Sequence, residues 1–531
     1  MPSWCVSVGP EALTTRVLFS ILLCLLAGSG FAQTPVRGGV AVIAVAADPT
    51  TLNPGISTGS HVHAVADSLY NGLVELDQNL RPQPDLAQKW AVSERGTVYT
   101  FQLVPNVRWH DGTPFTSADV KYTFEEILLK HHARTKSGIG SILASIDAPT
   151  PGTVVFRLRK PYGALLQLLN VTEAPILPKH IYQGTDPLTN PTNLKPIGTG
   201  AFKLESYRPD QQIVMVRNPN YFKPGLPYLD RLVFRVMPDD TAQTLALLAG
   251  EVDFLGLVNA PDVARLSARN DLVTAQTSFG SGGGNCIMTM SFNLDRKPMN
   301  DPRVRQAIAY AIDRAQIQRD VFFGLGRVAD APISSGLTWA HAPNTLADYK
   351  FNPQRATELL DAAGLRPDAE GVRLRIDLLH FPSFNRVGEV LRQNLSKVGI
   401  RVQQKPLDRA AFVEAVFGQR AFDTNLISYC NGADPDSGVR RMYVSDNISS
   451  VPFSNAAAYR NPEVDRLFKE AGETDNYDER AREYAAAQRI VAKDLPYWWL
   501  VETVASSAWR ARFQGFQPWS GEVAERAWLR P

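Results

Sequence analysis

"TVYTFQLVPNVRWHDGTPFTSADVKYTFEEIL", residues 97–128, holds two hydrophobic periods side by side. Val98, Thr100 and Gln102 alternate with Tyr99, Phe101 and Leu103, the period of two of a half-buried strand, and an Asp111-Gly112 turn follows. Thr116 and Asp119 then stand three apart at the head of "SADVKYTFEEIL", the spacing of a capping box with Asp in place of the longer Glu. Strand, turn and helix so close together point to mixed α/β architecture.

Working outward, the same helix grammar recurs. Asp301-Pro302, Asn352-Pro353 and Asn461-Pro462 each precede an amphipathic run. In such pairs the Asx side chain accepts from free N–H groups, and proline, which lacks one, fits the first turn. In "QRATELLDAAG", Ala356, Leu359, Leu360 and Ala363 share a face, and Gly364 is placed to end the helix in the left-handed conformation. Gly472 is expected to close "EVDRLFKEAG" in the same way.

The N-terminus carries an address. Arg16 precedes the apolar run "VLFSILLCLLA", residues 17–27, and the small residues Gly30 and Ala32 follow at cleavage-site spacing. That is the plan of a secretory signal over residues 1–32, and the run falls short of the roughly 20 residues that span a bilayer. Leu23 rather than a small residue precedes Cys24, which disfavours lipid attachment there. Cys5 and Cys24 leave with the signal, so the exported chain keeps Cys286 and Cys430, too few for a disulfide framework. Whether those two pair is left open by the sequence.

About 500 residues at roughly 150 per domain suggest two or three domains with a core that needs no staples. The net charge of +2, without a long basic run, excludes a nucleic-acid footprint, because phosphate binding needs clustered Lys and Arg. No second long apolar segment follows the signal. A soluble exported protein is expected.

Candidate chemistry is thin. "ISYCNGADPDSGVRRMY", residues 427–443, gathers Cys430, Asp434, Asp436, Arg440 and Arg441, which could serve an enzyme or line a pocket. His110-Asp111 reads as a turn rather than a catalytic pair. His61 with His63, and His131 with His132, lack the HExxH or CxxC companions of a metal site. "FGSGGGN", residues 279–285, matches neither GxGxxG nor a phosphate loop and reads as a flexible connection. No nucleophile elbow is present. The expectation is therefore no catalytic residue, no metal and no cofactor, with an exported hydrolase using Asp434, Asp436 or Cys430 as a remote alternative.

Five stretches in order carry a resemblance: "DLAQKWAVSERGTVYTFQLVPNVRWHDGTPFTSADVKYTFE" from Asp85, "PIGTGAFKLESY" from Pro196, "RNPNYFKPGLPYLDRLVFRVMPDDTAQTLALLAGEVDF" from Arg217, "MNDPRVRQAIAYAIDR" from Met299 and "YRNPEVDRLFKEAG" from Tyr459. They resemble the extracytoplasmic solute-binding proteins of ABC importers, in the peptide/opine/nickel group that includes dipeptide- and oligopeptide-binding proteins. The resemblance implies the two-lobe periplasmic-binding-protein fold of the large, type II peptide-binding class, with a hinge and an interlobe ligand cleft. Lobe I would comprise residues 33–286 and 502–531 with an extra subdomain, and lobe II residues 287–501. "SGGGN" and "PYWWLVET" would lie near the two crossings, with Trp498 and Trp499 read as core first and ligand contacts second.

The same resemblance implies a periplasmic monomer, with its signal cleaved near Ala32. It would capture a peptide or peptide-like solute and deliver it to ABC permease subunits in the inner membrane. An opine-like conjugate or a metal chelate is the alternative ligand. Residues 427–443 become the loop that presents lobe II to the ligand, with Tyr429, Asn431, Gly432, Ala433, Asp434, Arg440, Arg441 and Phe381 as candidate binding residues. Asn431, Gly432 and Ala433 would offer backbone amides, and Asp434-Pro435-Asp436 would shape the turn. Arg440 and Arg441 either clamp an anion or pair with neighbouring carboxylates. Peptide binders of the family carry an aspartate at the position of Asn431 and an arginine near Phe381. Both charges are missing here, which favours a ligand with few free charges at those ends, unless Arg440 or Arg441 substitutes.

Overall fold

Two sheets of different make-up organise the chain in the computed structural model, which describes residues 34–277, 284–516 and 524–531. The first sheet runs in the order Leu272–Thr277, Ala505–Arg510, Phe254–Leu255, Val40–Val45, Arg231–Val236, Gln212–Arg217, Phe202–Arg208. Its central strand Val40–Val45 reads VAVIAV and pairs in parallel with both neighbours. Such interior strands are covered on both faces, so they are apolar throughout instead of alternating.

The second sheet runs Arg327–Val328, Tyr497–Glu502, Cys286–Phe292, Thr424–Cys430, Leu374–His380, Ile400–Pro406. Every residue of Tyr497–Glu502 is buried. Trp498 and Trp499 have no exposed surface, as their reading as core residues requires. The Trp499 Nε1–H donates to Tyr443 Oη at 2.9 Å, and the Arg314 guanidinium lies 4.1 Å from the Trp498 ring centroid.

A third, antiparallel sheet of Ala87–Ser93, Val98–Leu103, Thr153–Leu158 and Leu143–Thr150 contains the strand read at residues 98–103. Phe101, Phe156 and Phe124 pack edge to face at 5.5 and 5.0 Å beneath it. The capping box is complete: the Thr116 N–H donates to Asp119 Oδ2 at 2.9 Å, and Thr116 Oγ1 accepts from the Ala118 N–H at 3.3 Å. Aspartate thus reaches the N-cap backbone of the helix Ser117–Tyr122, and a π-helical turn Thr123–Leu128 continues that helix.

Between the first and second sheets the chain passes twice, through residues 278–285 and 503–504. Most of the glycine-rich segment, residues 278–283, and the whole signal reading at 1–32 lie outside the described residues. Contacts divide the chain into Met1–Val36 and one unit, Arg37–Pro531, that holds all three sheets.

Asp301, Asn352 and Asn461 cap their helices by accepting from the N–H groups of Arg303, Arg355 and Glu463 at 2.9, 3.0 and 3.1 Å. Gly364 ends its helix at φ +80°, as expected. Gly472 does not: it is the last residue of helix Pro462–Gly472 and is absent from the left-handed positions. Its lack of a side chain serves a close approach instead, since a Cβ there would stand 2.8 Å from Asp436 Oδ1.

Candidate functional site

A cavity of about 1280 Å³ lies between the first and second sheets. One wall comes from Ile43–Ala47, the helix Ser60–Ala66, and Arg134, Tyr162 and Glu173; the other from the loop after Thr424–Cys430 and from Phe453 and Phe468. The loop leaves the second sheet at its inner edge, where Cys430 sits directly opposite Cys286 in register, and the two form a disulfide with Cα atoms 3.8 Å apart. Beyond it, the Asn431 N–H donates to Asn285 O and the Gly432 N–H to Gly284 O, both at 3.1 Å. Asn285 Nδ2 returns a bond to Gly432 O at 2.8 Å. Gly432 holds φ +67°, which a side chain would strain.

These bonds correct one expectation. The amides of Asn431 and Gly432 are consumed by the crossing segment and do not face a ligand as donors. The Asn431 carboxamide is half occupied: its Oδ1 accepts from the Ser334 N–H at 2.7 Å in a buried position, while its buried Nδ2 has no partner among the described residues. Tyr429 packs inside the second body and donates from Oη to Ser454 O at 2.9 Å. Phe381 stacks into an aromatic group with Phe412 and Phe384, at 4.4 and 5.8 Å between centroids. Tyr429, Asn431, Asp434 and Phe381 are not among the residues of the cavity wall, whereas Gly432, Ala433, Arg440 and Arg441 are.

Asp434 shapes the turn as its place before proline suggests, accepting from the Asp436 N–H at 2.9 Å. It also meets Arg480 at 2.7 Å with both side chains out of solvent. Arg480 further donates to Ala471 O at 2.9 Å and, across the gap between bodies, to Gly163 O at 3.3 Å. The Gly163 N–H donates to Gly472 O at 2.8 Å, and Gln167 bonds the Tyr477 hydroxyl. Burial, and then the neighbouring Asp434, push the Asp436 carboxyl up to about 6, against the opposing pull of Arg440, Arg480 and Lys160.

The two arginines diverge. Arg440 pairs with Asp446 at 2.9 Å and lies 3.9 Å from Asp436. Arg441 meets no carboxylate among the described residues: its Nε donates to Gly438 O at 3.0 Å and its Nη2 to Cys430 O at 3.1 Å. Its guanidinium lies 5.9 Å from the Tyr429 centroid and 6.0 Å from that of Phe453. Burial lowers its pKa.

On the opposite wall stand residues that the sequence did not assign to ligand binding. His63 Nδ1 lies 2.8 Å from Asp67 Oδ1 and Nε2 lies 2.9 Å from Ser57 O. A ring flanked by two acceptors is best satisfied as the imidazolium. Burial opposes that charge, but Asp67 outweighs it and the pKa is raised. Arg134 meets Glu173 at 3.0 Å and donates to Thr58 O and Thr172 O at 3.2 and 3.1 Å. The His63–Asp67 spacing of four was a usable signal; nothing in the sequence brings Arg134 to Glu173. Deeper in, Lys223 holds Glu75, Asp85 and Glu525 at 2.7 to 2.9 Å. Burial raises Asp85 to about 6, with Lys223 opposing and Glu525 and Glu75 adding to the rise.

Two other histidines, His110 and His132, are structural. His110 accepts from the Gly198 N–H at 3.1 Å and donates to Gly200 O at 3.1 Å, and burial holds it down at about 4. His132 accepts from the Thr135 N–H at 3.3 Å to cap the helix Ala133–Ile139.

A cleft between two α/β bodies joined by short crossings defines a two-lobe binding protein of the periplasmic type. The chain belongs to the bacterial extracellular solute-binding proteins, family 5, whose middle region matches residues 81–450. It is similar to the glutathione-binding protein GsiB of Escherichia coli strain K12, 27% identical over 508 residues that cover 94% of this chain and 95% of that one. Among solved structures, HbpA2 from Haemophilus parasuis superposes with a TM-score of 0.83 at 22% identity, over 93% of this chain and all of that one. The oligopeptide-binding protein AppA from Bacillus subtilis, in complex with a nonapeptide, gives 0.68 at 26% identity, over 94% and 100%. No described helix is long and apolar enough to cross a membrane.

Proposed function

We propose that this protein captures a peptide-like solute, of the size of a short peptide or a glutathione-like conjugate, and delivers it to an ABC permease in the inner membrane. The lobes of this reading are residues 33–286 with 502–531, and 287–501, and closure about the two crossings, near residues 284–286 and 502–504, encloses the ligand. Hinges are short element-terminal stretches that absorb dihedral change, and a crossing as brief as residues 503–504 is of that kind. The cavity carries the proposal: at about 1280 Å³ it exceeds the roughly 300–1,000 Å³ of drug-sized sites, leaving room for a multi-residue solute with water.

Gly432, Ala433, Arg440 and Arg441 are the binding residues of the second lobe, and His63, Arg134 and Glu173 those of the first. The protein acts as an exported monomer, with its signal removed near Ala32, and performs no chemistry on its ligand. Binding shifts an open/closed balance by the differential affinity for the closed form. The test is the ligand-stripped, refolded protein titrated calorimetrically with short peptides, together with small-angle scattering. Saturable binding with a fall in radius of gyration is expected; binding with unchanged scattering would remove the hinge, and turnover of the bound peptide would make it an enzyme.

A further inference from the structure

Arg441 is the one cavity-lining arginine without a carboxylate among the described residues. Arg134 is paired with Glu173, and Arg440 with Asp446. Its pose is nonetheless fixed. Of the five guanidinium N–H groups, one on Nε and one on Nη2 are held by Gly438 O and Cys430 O. Both on Nη1 and the other on Nη2 have no acceptor among the described residues, and that pair of nitrogens is the end-on fork that matches a carboxylate bidentately. The two accepting carbonyls belong to the loop pinned by the Cys286–Cys430 disulfide and the Asn285–Gly432 bonds, so little conformational freedom remains to be lost on binding. A half-buried charge without a counter-ion is costly, and the described residues supply none.

We infer that the bound solute carries a carboxylate that docks on Arg441 and completes its ion pair. This rests on the proposal that the cleft takes a peptide-like solute, and it adds an orientation. The acidic end points to the second lobe, and the carboxylates of the first-lobe wall are already paired with His63, Arg134 and Lys223. Arg441 is then a specificity-determining residue that replaces the charge missing beside Phe381.

The experiment compares acids with their amides. The ligand-stripped full-length exported protein, and its Arg441→Gln and Arg441→Lys variants, are titrated with trialanine and with trialanine amide by calorimetry. They are also heated with N-acetylglycine or N-acetylglycinamide at tens of millimolar. The unmodified protein should prefer each acid by about 10- to 100-fold, the range for a charge-assisted hydrogen-bonded pair. Arg441→Gln should abolish the preference, and Arg441→Lys should retain part of it because the charge stays while the fork is lost. A loss of affinity equal for acid and amide, which a merely misfolded loop would produce, overturns the inference, as does an unmodified protein without acid preference. Trialanine failing to bind while N-acetylglycine keeps an Arg441-dependent preference would remove the peptide reading and leave the anion subsite standing. Peptide binding with a preference indifferent to Arg441 would do the reverse.

Discussion

The two sheet bodies meet along seams of opposite character. At the chain crossings the bodies are joined by the chain itself and by bonds close to it, the Thr503 N–H on Cys286 O at 2.9 Å and the Gly326 N–H on Gln276 Oε1 at 3.0 Å, beside a Cys286–Cys430 disulfide that ties two strands of the second sheet. Where Gly163 approaches Gly472, contact is made by the Gly163 N–H on Gly472 O, by Gln167 on the Tyr477 hydroxyl and by the Arg480 guanidinium on Gly163 O, with Asp434 behind Arg480 and Asp436 beside it. The covalent crossings stay joined through small dihedral changes, whereas the bonds across this gap join residues far apart in the chain and are made or broken together. The first seam suits a pivot and the second a catch.

Removing Arg480 should have the largest effect, because it leaves Asp434 charged, buried and alone. Arg480→Ala is expected to cost about 3 to 5 kcal/mol of stability in denaturant titration. A loss below about 1 kcal/mol would mean that water reaches Asp434 and that the catch is an ordinary surface contact. Beside the other seam, Cys286→Ser with Cys430→Ser opens a link within the second sheet that spans 144 residues and should cost about 2 to 4 kcal/mol. Ligand affinity that survives that change would show that the loop after Cys430 is held by its backbone bonds without the disulfide.

Acidity should tell the seams apart next. Asp436 is raised to about 6 in the folded protein, above the roughly 3.9 of an unfolded aspartate, so the folded state binds the extra proton between those values. Its contribution is therefore fully favourable below about pH 4 and is lost as pH rises through about 6, a span of at most about 3 kcal/mol. Melting temperature should fall from pH 5 to 7.5, and Asp436→Asn should flatten the fall and stabilise the protein at pH 7.5. Asp85, raised to about 6 as well, keeps part of the slope in that variant. An unchanged profile would show that the carboxyl titrates normally.

Gly163→Ala places a Cβ 2.2 Å from Thr474 O and should force the catch ajar, at about 1 to 3 kcal/mol, read as weaker ligand binding and a larger radius of gyration. Arg440→Gln removes a pair that is about one-third exposed on the arginine and two-thirds on Asp446, and should move stability by less than about 1 kcal/mol. A larger loss of binding there would make Arg440, and not only Arg441, a ligand contact.

Much of the fold was legible because it rests on local rules. The strand at 98–103, the capping box at Thr116, the Asx-Pro helix starts and the left-handed Gly364 follow from bonds made within a few residues. Gly472 was misread by the same rules, because its reason lies in Asp436, more than thirty residues back in the chain. The site was legible only as a stretch: residues 427–443 do reach the cavity, but alternation along the strand and the loop's turn decide which of them face it.

What the sequence determined alone was the α/β class, the family motifs and the caps, each encoded in contiguous spacing. Tertiary structure decided that Cys430 meets Cys286, that the Asn431 Oδ1 is spent on Ser334, and that Asp446 satisfies Arg440 while Arg441 is left with two carbonyls. The physical reason is that a charge's state depends on its counter-charge and its distance from water. Both are set by groups that the folded chain brings from far along the sequence.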